Sequence, residues 1–273
     1  MKKIIAVAMA AVMISFMLAS CSNPANVNAT TESTSSTATT TTTTTRTTED
    51  LSTTFKEAQT NTIYPALVRD GDGSYPYELS SYSTKYLTSN TTRTKNIENA
   101  VSKLDELVIP NGAIFSFNQV VGKRTVLSGY EEAKVVQGDE FVDGLGGGIC
   151  QVSSTIFQAV LKANLEIKVR ACHSLEISYV PLGGDATVQW NSQDFQFKNN
   201  SGSDIRLSVW TDNGTLTCKV FAADDISIGL VKIDIEKTGK DTYTLTRTVN
   251  GKTNYTTNSK YAKPKTTTTE KTS

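Results

Sequence analysis

The chain has 273 residues, with 27 basic and 27 acidic side chains, a formal net charge of zero and one histidine. The lack of a basic stripe or of interleaved aromatic and basic residues argues against a nucleic-acid partner. No internal repeat or phosphate-cradling glycine motif is present, and the stretch from Tyr64 to Lys263 is long enough for one domain with a sizeable core or two small ones.

Residues 1–20 read as a signal peptide. Lys2 and Lys3 precede an apolar run, Ile4 to Leu18, that is short for a membrane span. The run ends in Leu18-Ala19-Ser20-Cys21, which resembles a bacterial lipobox. Cys21 is then the expected lipidation site, and the chain is expected outside the cytoplasm, lipid-anchored to the bacterial membrane surface. An ordinary secretory signal with an incidental cysteine is the alternative. Residues 21–60 hold unbroken threonine from Thr39 to Thr45, too few apolar groups to offset ordering entropy, and read as a disordered linker or stalk. Residues 263–273 have the same character.

The folded part is expected over 64–222, with a β extension over 223–262. Tyr77 to Tyr86 alternates as a short strand. Ile97, Ala100, Val101, Leu104 and Leu107 fall at helical spacing within Thr94 to Leu107. Pro110-Asn111-Gly112 marks a turn, Ala113 to Val121 reads as a strand, and Lys134 to Phe141 as another. Cys150 to Asn164 reads as a helix with Val152, Ile156, Ala159, Val160 and Ala163 in one buried stripe. Strands follow at Leu165–Val169, Leu175–Val180, Ala186–Trp190, Phe195–Lys198, Ile205–Trp210 and Thr215–Ala222. Asn213-Gly214 is a strong hairpin signal. Two or three further strands surround Asn250-Gly251 and are expected to complete the main sheet. The fold class is α+β, a cysteine-bearing helix packed on an antiparallel sheet.

The chemistry concentrates at Gly146-Gly147-Gly148-Ile149-Cys150-Gln151. A thiol at a helix N-terminus is favoured as thiolate. His173, the one histidine, follows, and then Asp185. Cys150 as nucleophile, His173 as general base and then acid, and Asp185 as the carboxylate that orients the imidazole make a coherent set, with Asp194 the alternative orienter. Gln151, through its backbone or side chain, is the oxyanion candidate. The order resembles that of papain-like and transglutaminase-like folds. Against this stands a structural reading, in which Cys150 is a small core residue, His173 satisfies a buried carbonyl and Asp185 shapes a turn. A zinc site from Cys150, Cys172 and His173 lacks the usual short spacing, and Ser153 or Ser154 lacks a nucleophile-elbow motif. Cys150, Cys172 and Cys218 are an odd set. A Cys172–Cys218 bond leaves the nucleophile free, and a Cys150–Cys172 bond destroys it.

The segments Phe115-Ser116-Phe117-Asn118, Val121-Gly122, Gly129-Tyr130, Gly146 to Ser153, His173-Ser174, Tyr179-Val180-Pro181, Asp185-Ala186-Thr187-Val188 and Asp194-Phe195 resemble the VanW family of bacterial envelope proteins. The resemblance runs from about Glu78 to Trp210. It implies an envelope location and an association with glycopeptide resistance more than a defined reaction. Two functions are therefore expected. One is a thiol hydrolase or acyl transferase acting on cell-wall peptides. The other is a non-catalytic surface module that binds wall material or a partner protein. Neither implies a cofactor.

Overall fold

The computed structural model describes residues 68–69 and 74–263. The expected signal peptide, the lipidation site at Cys21, the linker over 21–60 and the tail beyond Lys263 lie outside the described residues.

In chain order the elements are β1 (Val68–Arg69), β2 (Tyr77–Lys85), α1 (Thr91–Leu104), β3 (Leu107–Ile109), β4 (Ile114–Ser116), α2 (Phe117–Val121), β5 (Glu132–Gln137), β6 (Glu140–Leu145), α3 (Ile149–Lys162), β7 (Glu166–Val169), β8 (Gln196–Lys198), β9 (Ile205–Asp212), β10 (Thr215–Ala222), β11 (Val231–Lys237), β12 (Thr242–Val249) and β13 (Lys252–Lys260). The main antiparallel sheet runs in the order β1-β3-β9-β10-β2. A second sheet runs β4-β8-β7, β5 and β6 form a hairpin, and β11-β12-β13 make a third sheet. Mixed helix and antiparallel strand is an α+β architecture.

The β9–β10 hairpin turns at Asn213-Gly214 with φ of 45° and 78°, the positive pair that this tight turn requires. Helix α1 begins at Asn90, whose side chain accepts the Arg93 N–H at 3.1 Å. Its periodic residues Ile97, Ala100, Val101 and Leu104 are all buried. Helix α3 lies across β2 and β10 and is buried from Gln151 to Leu161. Its burial extends all round, well beyond the single stripe expected. Phe115, Phe157, Phe195 and Phe197 pack together beside it, with Phe115 and Phe197 stacked at 4.8 Å. The aromatic segment at 115–118 is therefore core.

Four strand expectations need correction. The span 113–121 breaks after Ser116, because the Ser116 hydroxyl accepts the Gln119 N–H and the Asp194 carboxylate accepts the Asn118 N–H, which starts α2. The span 134–141 folds back at Gly138, giving β5 and β6. The spans 175–180 and 186–190 form only isolated bridges. In 186–190, side chains meet the backbone groups instead: Ser153 and Ser154 donate to Ala186 O, and Cys150 Sγ lies against Val188 O.

The 228–262 segment does not complete the main sheet. It forms its own three-stranded sheet, whose Leu245 is buried in the common core with Ile233, Ile235 and Tyr255 packed against it. Arg247 ties it to α3, donating to Leu161 O at 3.2 Å and Leu165 O at 2.8 Å.

Candidate active site

Cys150 is the second residue of α3 and is partly exposed. Its Sγ lies 3.4 Å from Thr187 Oγ1 and 3.5 Å from Val188 O, and it interacts with the His173 imidazole. His173 comes from the loop between β7 and β8. Its backbone N–H donates to Asp185 Oδ2 at 2.7 Å, and its ring Nδ1–H donates to the same oxygen at 2.6 Å. That leaves Nε2 for the sulfur and for the Tyr179 hydroxyl, 3.3 Å away.

Asp185 is completely buried. A buried carboxylate is tolerable only with a full set of donors. Its Oδ1 accepts from Arg170 Nη2 at 3.0 Å and from the Tyr261 hydroxyl at 2.6 Å. Arg170 Nε also donates to the Asp185 carbonyl at 2.6 Å, so one guanidinium holds both the backbone and the side chain. The imidazole is thus fixed in tautomer and direction.

Burial pushes the Cys150 thiol up, but the hydrogen bond and charge of His173 outweigh it, and the pKa falls to about 7. Burial alone would lower His173, yet Asp185 and the thiolate raise it to about 10. Burial also works against ionised Asp185, and the His173, Arg170 and Tyr261 contacts more than offset this, holding the carboxyl below its usual range. Between those two values the resting pair is thiolate and imidazolium. Tyr179 stays a neutral phenol, since burial and the adjacent thiolate push its pKa well up.

Gln151 sits away from the reacting groups. Its Oε1 accepts from Arg93 Nη2 at 2.8 Å, and its Nε2 donates to Thr84 Oγ1 at 3.0 Å and Lys85 O at 2.9 Å. Its backbone N–H donates to Gly148 O at 3.0 Å. These bonds tie α3 to β2 and leave no donor for an oxyanion, which corrects the expectation. The Cys150 N–H is the main-chain donor that remains beside the sulfur. Asp194 does not orient the imidazole either. Its carboxylate receives Ser116 Oγ, the N–H groups of Asn118 and Phe195, and Gln196 Nε2. The carboxylate that meets the imidazole is that of Asp185.

The three glycines make close approaches. A Cβ at Gly147 would stand 2.7 Å from Ala133 Cβ and 2.8 Å from Lys134 O. Gly148 has φ of 108° and packs on Ile97 and Arg93, and Gly146 packs on the stem of Arg124. Cys150, Cys172 and Cys218 are all free, so neither disulfide considered from the sequence forms. Among the described residues, no three His, Cys, Asp or Glu side chains are grouped to hold a metal ion. The thiol and imidazole open onto a cleft of about 1290 Å³, which Tyr179, Trp190, Arg93 and Arg124 also line.

Residues 92–221 match the family model described as VanW like protein. The chain carries a VanW-like domain. It is 40% identical over 156 residues to the protein YoaR of Bacillus subtilis (strain 168), covering 57% of this chain and 52% of that one. It is 27% identical over 132 residues to the Vancomycin B-type resistance protein VanW of Enterococcus faecalis (strain ATCC 700802 / V583), covering 46% of this chain and 48% of that one. The chain thus spans about half the length of the curated relatives it matches. No solved structure matches it. Cys150, His173, Asp185 and Arg170 all fall inside the VanW-like domain, whereas Tyr261 falls outside it. Sequence reasoning missed Arg170, Thr187 and Tyr261 as supports of the site. Thr187 alone carried a signal, through its place in the Asp185 to Val188 segment.

Proposed function

We propose that the VanW-like domain is a thiol-dependent acyl-transfer enzyme, with Cys150 as nucleophile, His173 as acid and base, and Asp185 as orienter. The observation that carries this reading is the buried His173–Asp185 bond of 2.6 Å, with the thiol facing the same cleft as that imidazole and its pKa lowered by it. A core cysteine and a carbonyl-satisfying histidine would not need a buried carboxylate held by Arg170 and Tyr261.

The chemistry follows from the geometry. The Cys150 thiolate adds to an amide carbonyl, forming a C–S bond and moving the π electrons onto oxygen. The Cys150 N–H stabilises that oxyanion. As the C–N bond breaks, His173 Nε2–H protonates the departing amine, leaving an acyl thioester and a neutral imidazole held by Asp185. Water or an incoming amine then adds to the thioester, His173 takes its proton, and the thiolate leaves. Water makes the protein a hydrolase, and an amine makes it a transferase. The order of nucleophile, base and orienter along the chain is that of papain-like and transglutaminase-like folds, an analogy of arrangement only.

The substrate and location are part of the same proposal. The lipobox at Leu18 to Cys21 would anchor the chain outside the cytoplasm through lipid on Cys21, with 21–60 as a stalk. One relative is named for vancomycin resistance, and the proposed anchored location makes wall peptides the amides within reach. The test is incubation with peptidoglycan stem peptides, following hydrolysed or amine-exchanged products by mass. Product formation that stops in Cys150→Ala, with an acyl adduct on Cys150 in the native protein, is the expected result. Binding without turnover, unchanged in Cys150→Ala, would leave the non-catalytic module in its place.

A further inference from the structure

The cleft holds two cations whose role the triad does not explain. Arg124 lies against the Phe117 ring at 5.6 Å, and its Nη1 donates to Asn118 Oδ1 at 2.7 Å and Gly122 O at 3.1 Å. Its other terminal nitrogen, Nη2, is buried and has no hydrogen-bond partner. A buried guanidinium N–H without an acceptor is costly. Arg93 spends one nitrogen on Gln151 Oε1. Neither arginine takes part in an ion pair among the described residues. Asp194, the carboxylate whose charge reaches Arg124, already accepts from four donors, two at the start of α2 and two in its own segment. Both guanidinium groups act electrostatically on Cys150.

The glycine run builds this arrangement. A Cβ at Gly146 would stand 3.0 Å from Arg124 Cγ, and one at Gly148 would stand 3.2 Å from Arg93 Cγ. Each arginine stem is seated where a side chain would otherwise be. The two cations are therefore seated against the backbone that presents the thiol. Around them the cleft is lined by Lys123, Lys134 and Lys260 against the single carboxylate of Glu176.

We propose that Arg93 and Arg124 form an anion subsite that holds a carboxylate of the substrate beside Cys150. This rests on the thiol-enzyme reading and narrows its substrate to peptides bearing a carboxylate near the amide that reacts. With Nη1 of Arg124 spent on Asn118 and Gly122, Nη2 is the terminal donor left for a carboxylate, and binding would satisfy it. The carboxylate could be the chain terminus or an acidic side chain.

The test compares two alkylating probes on Cys150, the anion iodoacetate and neutral iodoacetamide, read by mass spectrometry of the Cys150 peptide. Their rate ratio at one thiol cancels the thiolate fraction. Relative to N-acetylcysteine, the ratio at Cys150 should rise about tenfold, the size of one charge-assisted hydrogen bond. It should fall toward the N-acetylcysteine value in Arg124→Gln, where Arg93 and the imidazolium remain, and be better kept in Arg124→Lys. Lys123→Gln, which removes an exposed cation at the same cleft, should change it less than about twofold. N-acetylglycylglycine and the α-amide of N-acetylglutamate, offered as protectants, distinguish a terminal carboxylate from a side-chain one, and slowing of iodoacetate by either supports the subsite. A ratio equal to that of N-acetylcysteine in the native protein, a ratio unchanged in Arg124→Gln, or protection by neither compound would overturn it. Fast iodoacetamide labelling without iodoacetate preference removes the subsite alone, whereas slow labelling by both removes the activated thiol beneath it.

Discussion

The hydroxyl of Tyr261 donates to Asp185 Oδ1 at 2.6 Å, joining the end of the C-terminal sheet to the carboxylate that orients His173. The same Tyr261 oxygen accepts the Gly183 N–H at 2.6 Å. A residue outside the stretch that matches the VanW-like family model thus closes the hydrogen-bond set of the site. The β11–β13 sheet serves as the back wall of the loop that carries Asp185.

Tyr261→Phe removes one donor from a buried charge and leaves the Gly183 N–H unpaired. The expected loss of stability is about 1–3 kcal/mol, measured by urea unfolding. A loss within error of zero would mean that the C-terminal sheet does not support the site.

Asp185→Asn should cost more. It removes the charge that faces Arg170, whose side chain is 2% exposed, and leaves a buried guanidinium without its ion partner. The expected cost is about 3–5 kcal/mol. With the carboxylate gone, the imidazolium is less favoured, so the pKa of His173 should fall from about 10 and that of Cys150 should rise from about 7. Titration of the His173 ring by NMR checks the first shift in whatever fraction remains folded.

Gly147→Ala places a methyl 2.7 Å from Ala133 Cβ and 2.8 Å from backbone of β5, so either α3 or β5 must move. A cost of about 1–3 kcal/mol is expected from overpacking of this kind. Gly251→Asn, at a hairpin turn with nothing within 4 Å of the new Cβ and a φ of 78° that asparagine tolerates, should be close to neutral. Paired denaturation curves separate the two.

The cysteines should react in a fixed order. Cys218 is fully buried in β10, and burial pushes its thiol well up. It should label only on unfolding, whereas Cys150 labels in the native protein. A non-reduced peptide map should show neither a Cys172–Cys218 nor a Cys150–Cys172 linked peptide.

The parts of the fold written in local patterns were legible in the sequence. Helical spacing located α1 and α3, and Asn213-Gly214 announced its hairpin. The missed elements lie where side chains reach across the chain. Asp194 starts α2 inside an apparent strand, and Ser153 and Ser154 draw Ala186 O away from any ladder. At the site, Cys150, His173 and Asp185 could be named because each is rare or follows a marked turn. Tyr261 could not be, since it contacts Asp185 across 76 positions and no short motif records such a bond. Gln151 misled for a related reason: its neighbour is the candidate nucleophile, yet its side chain bonds to β2.

The proposed chemistry requires that His173 convert Cys150 into a thiolate at neutral pH. The pH dependence of iodoacetamide alkylation of Cys150, in the native protein and in His173→Ala, measures this conversion. Because the thiol is shifted down, reactivity should be present above its pKa and lost as pH falls through about 7. In His173→Ala, the largest opposition to burial is lost, only smaller contacts such as those of Thr187 and Val188 remain, and the midpoint should move up toward about 9. A native midpoint near 9, or one that does not move when the imidazole is removed, would rule out an imidazole-activated thiol.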